Sequence, residues 1–150
     1  MKIQRWFVLA LSGALALIFS AACWNRIDQP PKPVEQDVVQ IAPGVAFPLK
    51  SGQKATLNTD EVVVSFVSVS EDSRCPSDVA CVWEGQVTTA LRVIVKGEAM
   101  GDFSLTLRGG QPASVEVKGY TLTLSAVDPY PNSKEPIKPV DYEATLTLSQ

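Results

Sequence analysis

The chain contains no histidine. That absence removes the Ser-His-Asp and Cys-His arrangements of nucleophilic hydrolases and makes a catalytic zinc centre a poor fit. Cysteine is scarce as well, with Cys23, Cys75 and Cys81 in 150 residues. A structural zinc site asks for four nitrogen or sulfur ligands, and too few are present. Helical periodicity is missing after residue 23, apart from a single turn within 76–80, so bundles and doubly wound α/β folds are set aside. No internal repeat is visible. Positive charge is in short supply: all sixteen acidic residues follow Ala22, while Lys2 and Arg5 precede it. Beyond Ala22, eleven basic residues face those sixteen, a net charge of about −5. No basic patch with interleaved aromatics occurs, which argues against a nucleic-acid partner.

What the N-terminus does have is the pattern of an export signal. Lys2 and Arg5 give a basic start, Trp6 to Phe19 is an apolar run, and Ser20, Ala21 and Ala22 are small. The run is too short for a comfortable transmembrane helix, so residues 1–22 read as a signal peptide. Cys23 follows at once. Apolar residues, small residues and then cysteine resemble the lipobox of bacterial lipoproteins, in which the cysteine becomes an acylated N-terminus. Ser20 stands where a lipobox usually has an aliphatic residue, and Ser20-Ala21-Ala22 also suits the ordinary secretory peptidase. The lipoprotein is the preferred expectation, with a secreted or periplasmic protein as the alternative. Residues 24–44 contain Pro30, Pro31, Pro33 and Pro43. Proline density makes such a stretch extended and semi-rigid, as a tether to a membrane needs to be.

From Val45 onward the pattern has a period of two. In Gln86–Lys96, Val87, Thr89, Leu91, Val93 and Val95 fall on one face. Phe103, Leu105 and Leu107 alternate, as do Tyr120, Leu122, Leu124 and Ala126, and then Tyr142, Ala144, Leu146 and Leu148. The run Val62–Val69 is nearly continuous in β-branched residues and reads as a strand buried on both faces. Shorter strands are expected at Ala46–Leu49 and Gln53–Leu57, and turns at Gly97–Gly101, Gly109-Gly110 and Gly119. The expectation for 45–150 is an all-β, antiparallel β-sandwich of about seven to eight strands, immunoglobulin-like or a related barrel. The loop 128–139, DPYPNSKEPIKP, is long for a hairpin connection.

Chemistry concentrates in 71–85, EDSRCPSDVACVWEG. Six residues of helix would separate Cys75 and Cys81 by about 9 Å. A disulfide needs Cα atoms about 4.4–6.8 Å apart, so a bond between them demands a tight turn, for which Pro76, Ser77 and Asp78 are suited. The C-x5-C spacing is not that of a zinc or redox motif, and a structural disulfide is expected. Glu71, Asp72, Asp78 and Glu84 would make a catalytic pair or a cation site only if they converged. Salt bridging with Arg74 and turn capping is the preferred reading, so no catalytic residue, metal or cofactor is expected. Trp83 reads either as a core residue packed on the disulfide, which is preferred, or as an exposed anchor. Tyr130, held between Pro129 and Pro131, is the better candidate for exposure.

Asp72, Ser73, Arg74, Cys75, Pro76, Asp78, Val79, Cys81, Trp83 and Gly85, with Val127, Pro129, Tyr130, Pro131 and Tyr142 downstream, resemble a family of uncharacterised bacterial secreted proteins and lipoproteins. The resemblance spans roughly 62–148. It implies export and a disulfide, and no reaction. The expected function is that of a non-enzymatic cell-envelope lipoprotein, membrane-tethered through Cys23, that binds a protein or glycan through Arg74, Trp83 and Tyr130. The alternative is an inhibitor that presents the Arg74–Cys81 loop to a trypsin-like enzyme.

Overall fold

A computed structural model describes residues 38–58 and 61–150. The signal peptide 1–22, Cys23 and the tether up to residue 37 lie outside the described residues. Among the described residues, no helix is long and apolar enough to cross a membrane.

Alternating side chains make strands that each cover one face of a shared core, and nine such strands occur among the described residues: β1 Val38–Ile41, β2 Ala46–Lys50, β3 Lys54–Leu57, β4 Val62–Asp72, β5 Gln86–Val95, β6 Glu98–Arg108, β7 Ala113–Val117, β8 Tyr120–Asp128 and β9 Glu143–Ser149. They form a five-stranded sheet ordered β1-β3-β4-β5-β6 and a four-stranded sheet ordered β2-β9-β8-β7. Every pairing is antiparallel except β1 with β3. The chain is therefore the all-β sandwich that the alternation predicts, with two more strands than the lower expected count. One of them, β1, lies inside the stretch expected to be tether. The described strands thus begin at Val38 rather than at 45. The β-branched pair Val38-Val39 finds a ladder partner in Lys54-Ala55, and proline composition further upstream masks that short signal.

Phe66, Leu91, Leu122, Leu124, Leu146 and Leu148 fill the centre of the core. The β5 alternation is realised as expected, with Val87, Thr89, Leu91, Val93 and Val95 all buried. The β4 expectation needs correction. Val62, Val64 and Phe66 face the core, but Val63 is half-buried and Val67 is exposed. A sandwich covers each sheet on one side only, and on the outer side Val63 packs across the ladder from Ile94. The turn after β5 is also shorter than expected. Lys96 and Gly97 both have positive φ, 50° and 79°, which suits a two-residue hairpin turn, so Glu98 already pairs with Val95.

Register shifts position the site. Those in β4 fall between Phe66 and Ser68 and between Val69 and Glu71. The core face of β4 therefore reads Val62, Val64, Phe66, Val69, Asp72 against Val95, Val93, Leu91, Thr89, Val87 of β5. Each extra residue re-aims the chain without flipping its inner face. The result is an aspartate on the core side at the end of the sandwich. A similar shift in β8, between Leu124 and Ala126, buries Val127 in place of the expected Ala126.

Candidate binding surface at the disulfide end

The loop joining β4 to β5 is closed by short-range backbone bonds. The Ser73 amide donates to the Gln86 carbonyl at 2.8 Å and the Cys75 amide to the Glu84 carbonyl at 3.2 Å. Gly85 has φ of 72°, and a Cβ there would overlap the Ser73 carbonyl, so this corner requires glycine. Cys75 and Cys81 are bonded, with Cα atoms 5.9 Å apart. Pro76 opens a turn that returns the Val79 amide to the Pro76 carbonyl at 3.2 Å.

The loop after β8 locks onto it. The Ser77 amide donates to the Pro131 carbonyl at 2.9 Å. The Asp78 carboxylate accepts from the Ser133 amide at 2.8 Å and the Ser133 hydroxyl at 2.5 Å. Those Ser133 hydrogen bonds hold the Asp78 carboxyl below the usual carboxylate range. The disulfide loop and the proline-rich loop thus share one end of the sandwich.

Beneath both loops lies Arg74. Its Nε and Nη2 donate to the two oxygens of Asp72, at 2.9 and 2.6 Å. Nη1 donates to the Val127 carbonyl at 2.5 Å and Nη2 also to the Pro129 carbonyl at 3.0 Å. Tyr142, on the approach to β9, donates its hydroxyl to Asp72 at 3.1 Å. The Arg74 and Asp72 side chains are only 8% and 10% exposed. Burial by itself would raise the Asp72 pKa, but the hydrogen bonds and charge of Arg74, with help from Tyr142, hold the carboxyl below its ordinary value. Burial and the neighbouring carboxylate push the Tyr142 phenol up.

Arg74, expected as a binding residue, lines the open groove at this end of the sandwich. Its guanidinium is held by Asp72, by the Val127 carbonyl near the end of β8 and by the Pro129 carbonyl of the following loop, so it is not the free basic residue that a trypsin-like cleft would require. Trp83 corrects the preferred core reading: it is 81% exposed and its neighbour Val82 is 88% exposed. The Asp72–Arg74 pair and Val127 already occupy the end of the core, and the chain between Cys81 and the Cys75–Glu84 bond turns outward. Tyr130 is 52% exposed, and the Arg74 guanidinium lies 4.9 Å from its ring centroid.

Trp83 and Tyr130 line one open groove of about 560 Å³, together with the buried Val87 and Leu107 and the exposed Glu84 and Asp128. Glu84 and Asp128 as groove residues were not foreseen, nor was the role of Tyr142, because sequence gives no distance between loops. The four acids considered together in the sequence do not converge: Asp72 holds Arg74, Asp78 holds Ser133, Glu71 accepts a long 3.5 Å bond from Gln86, and Glu84 borders the groove. Among the described residues, no three histidine, cysteine or acidic side chains form a metal-ligating group. Comparison with protein-family models, with curated proteins and with solved structures returned no match.

Proposed function

We propose that this chain is a non-enzymatic, lipid-anchored protein of the bacterial cell envelope, whose β-sandwich captures a protein or glycan through the two interlocked loops at its disulfide end. The observation that carries this reading is the exposure of Trp83 and Val82 on a loop fixed by a disulfide, beside the half-exposed Tyr130. Large apolar side chains held rigidly in solvent supply contact area with little entropy left to lose on binding. Tryptophan and tyrosine are the residues that most often dominate an interface. Asp72 and Asp78, two of the four acids near the disulfide, are committed to Arg74 and Ser133 and so are not available as a glycosidase pair.

Export and anchoring rest on the N-terminal pattern and on cysteine usage. A disulfide suits an oxidising compartment. With Cys75 and Cys81 joined, Cys23 is the third cysteine, directly after three small residues. Intact-mass analysis of the membrane fraction is expected to show loss of residues 1–22 and an added acyl mass; a soluble protein with a free Cys23 thiol contradicts the anchor.

For the binding surface, the mature chain is used to capture partners from envelope extract, alongside Trp83→Ala and Tyr130→Ala. Capture is expected to weaken by about 1–2 kcal/mol or more in each, the scale of an aromatic hot spot, with folding unchanged. Undiminished capture by both variants removes the loops from the account.

A further inference from the structure

The groove at the disulfide end has an uneven charge. Three ionisable side chains of formal charge line it besides Tyr130 and the bonded cysteines: Arg74, Glu84 and Asp128. The Arg74 charge is matched by Asp72 at 2.6 Å. Neither Glu84 nor Asp128 has an ion-pair partner among the described residues, whose salt bridges are Arg74–Asp72, Arg92–Asp102, Lys96–Glu61 and Lys118–Glu98. Arg108 does not line the groove; it lines the adjoining hollow together with Trp83 and Glu84, and forms no salt bridge with Glu84. Asp128 also stands directly opposite Glu143 across the β8–β9 ladder. Glu143 has Lys50 of β2 opposite it on its other side, so within this row Asp128 is the carboxylate with no cation directly across from it.

We propose that this groove receives a lysine or arginine side chain from a basic segment of a protein partner, held against the Trp83 and Tyr130 rings and between the Glu84 and Asp128 carboxylates. The proposal rests on the reading of this end as a binding surface and names its ligand chemistry. Aromatic faces attract cations, most strongly where water is excluded. The molecule already contains one such contact, Arg74 against Tyr130. The aliphatic side chains of Val87 and Leu107 in the groove lining match the methylene stem of a long basic side chain. A neutral sugar would also stack on Trp83, but it would leave two unpaired carboxylates without a counter-charge. The excess of acidic residues beyond Ala22 favours approach of a basic partner over an anionic one.

The test uses the mature chain labelled with nitrogen-15, with the indole N–H signal of Trp83 assigned by its loss in Trp83→Phe. Pentalysine, pentaglutamate and a neutral pentamer of N-acetylglucosamine are titrated separately. Pentalysine is expected to move the Trp83 signal, with an affinity that falls at high salt and drops about tenfold or more in the exposed double variant Glu84→Gln with Asp128→Asn. Pentaglutamate is expected to leave the signal in place. A shift produced by the neutral oligosaccharide and retained in the double variant overturns the proposal and assigns the groove to a glycan. A Trp83 signal that no probe moves also overturns it. In that case, capture from envelope extract that still depends on Trp83 leaves the binding surface standing without the cation, whereas capture indifferent to Trp83 removes the surface itself.

Discussion

Two arginine–aspartate pairs in this domain have nearly the same geometry and different surroundings. Arg74 holds Asp72 with bonds of 2.9 and 2.6 Å; Arg92 holds Asp102 with bonds of 2.7 and 3.0 Å. The first pair is 8% and 10% exposed, the second 53% and 58%. Arg92 and Asp102 face each other across β5 and β6, within one sheet. Arg74 and Asp72 also engage the carbonyls of Val127 and Pro129 and the hydroxyl of Tyr142, all from the other half of the chain. The lesson is that the fork geometry alone says little about weight. In water, the exposed pair competes with solvent and is screened by salt. At the end of the core, loss of either partner strands a charge away from water.

The largest effect is expected from breaking the buried pair. Asp72→Asn should lower the unfolding free energy by about 3 kcal/mol, the low end for a buried pair that loses one partner, as read from urea denaturation. A change no larger than that of a surface substitution would erase the contrast between the two pairs. Removal of the disulfide comes next. Cys75→Ser with Cys81→Ser is expected to cost about 2–3 kcal/mol and to leave the β-sheet spectrum intact, because the ring is small and Arg74 and Asp78 still hold the loop.

Acid sharpens the comparison. Asp72 has a folded-state pKa below its unfolded value of about 4, so its ionised form is favoured by folding. Its contribution to stability is complete above that unfolded value and is lost as pH falls through the lower folded value. Tyr142 works in the opposite sense at the other end of the scale. Its raised pKa contributes stability below the ordinary tyrosine value of about 10, and that contribution is lost as pH rises through the folded value. Thermal melts against pH are expected to show both losses in the wild type, and a smaller acid loss in Asp72→Asn. An unchanged acid limb would remove Asp72 as its source. The smallest effect is expected from Arg92→Ala, which should leave the melting temperature within experimental error, especially at high salt.

The strands were legible because a period of two leaves a direct record in side-chain order. The inner faces of β5 and β9 can be read straight from Val87–Val95 and from Ala144, Leu146 and Leu148. The register shifts left no such record: nothing about Val67 or Ser70 announces an extra residue, yet those shifts bring Asp72 to the core side. The local half of the site was partly legible. The disulfide and the proximity of Arg74 to acidic partners follow from a few residues of sequence. The distant half was not, since the Val127 and Pro129 carbonyls lie 53 and 55 positions from Arg74. Trp83 was misread for the same reason. A tryptophan beside a disulfide is expected to fill core space, but Trp83 is 81% exposed, while Val127, 44 positions further on, is buried.

The central claim is that the buried Arg74–Asp72 pair joins the disulfide loop and the proline-rich loop into one preformed surface. The amide protons of Ser77 and Ser133 report on it directly, because each donates from one loop to the other. Their hydrogen exchange is to be measured in the wild type, Asp72→Asn and Arg92→Ala. The account predicts that both amides exchange at least about tenfold faster in Asp72→Asn than in the wild type, beyond any change in Leu91 and Leu146 of the core, and at the wild-type rate in Arg92→Ala. Equal protection of Ser77 and Ser133 in all three proteins would show that the loops hold together without the buried pair, and would contradict the claim.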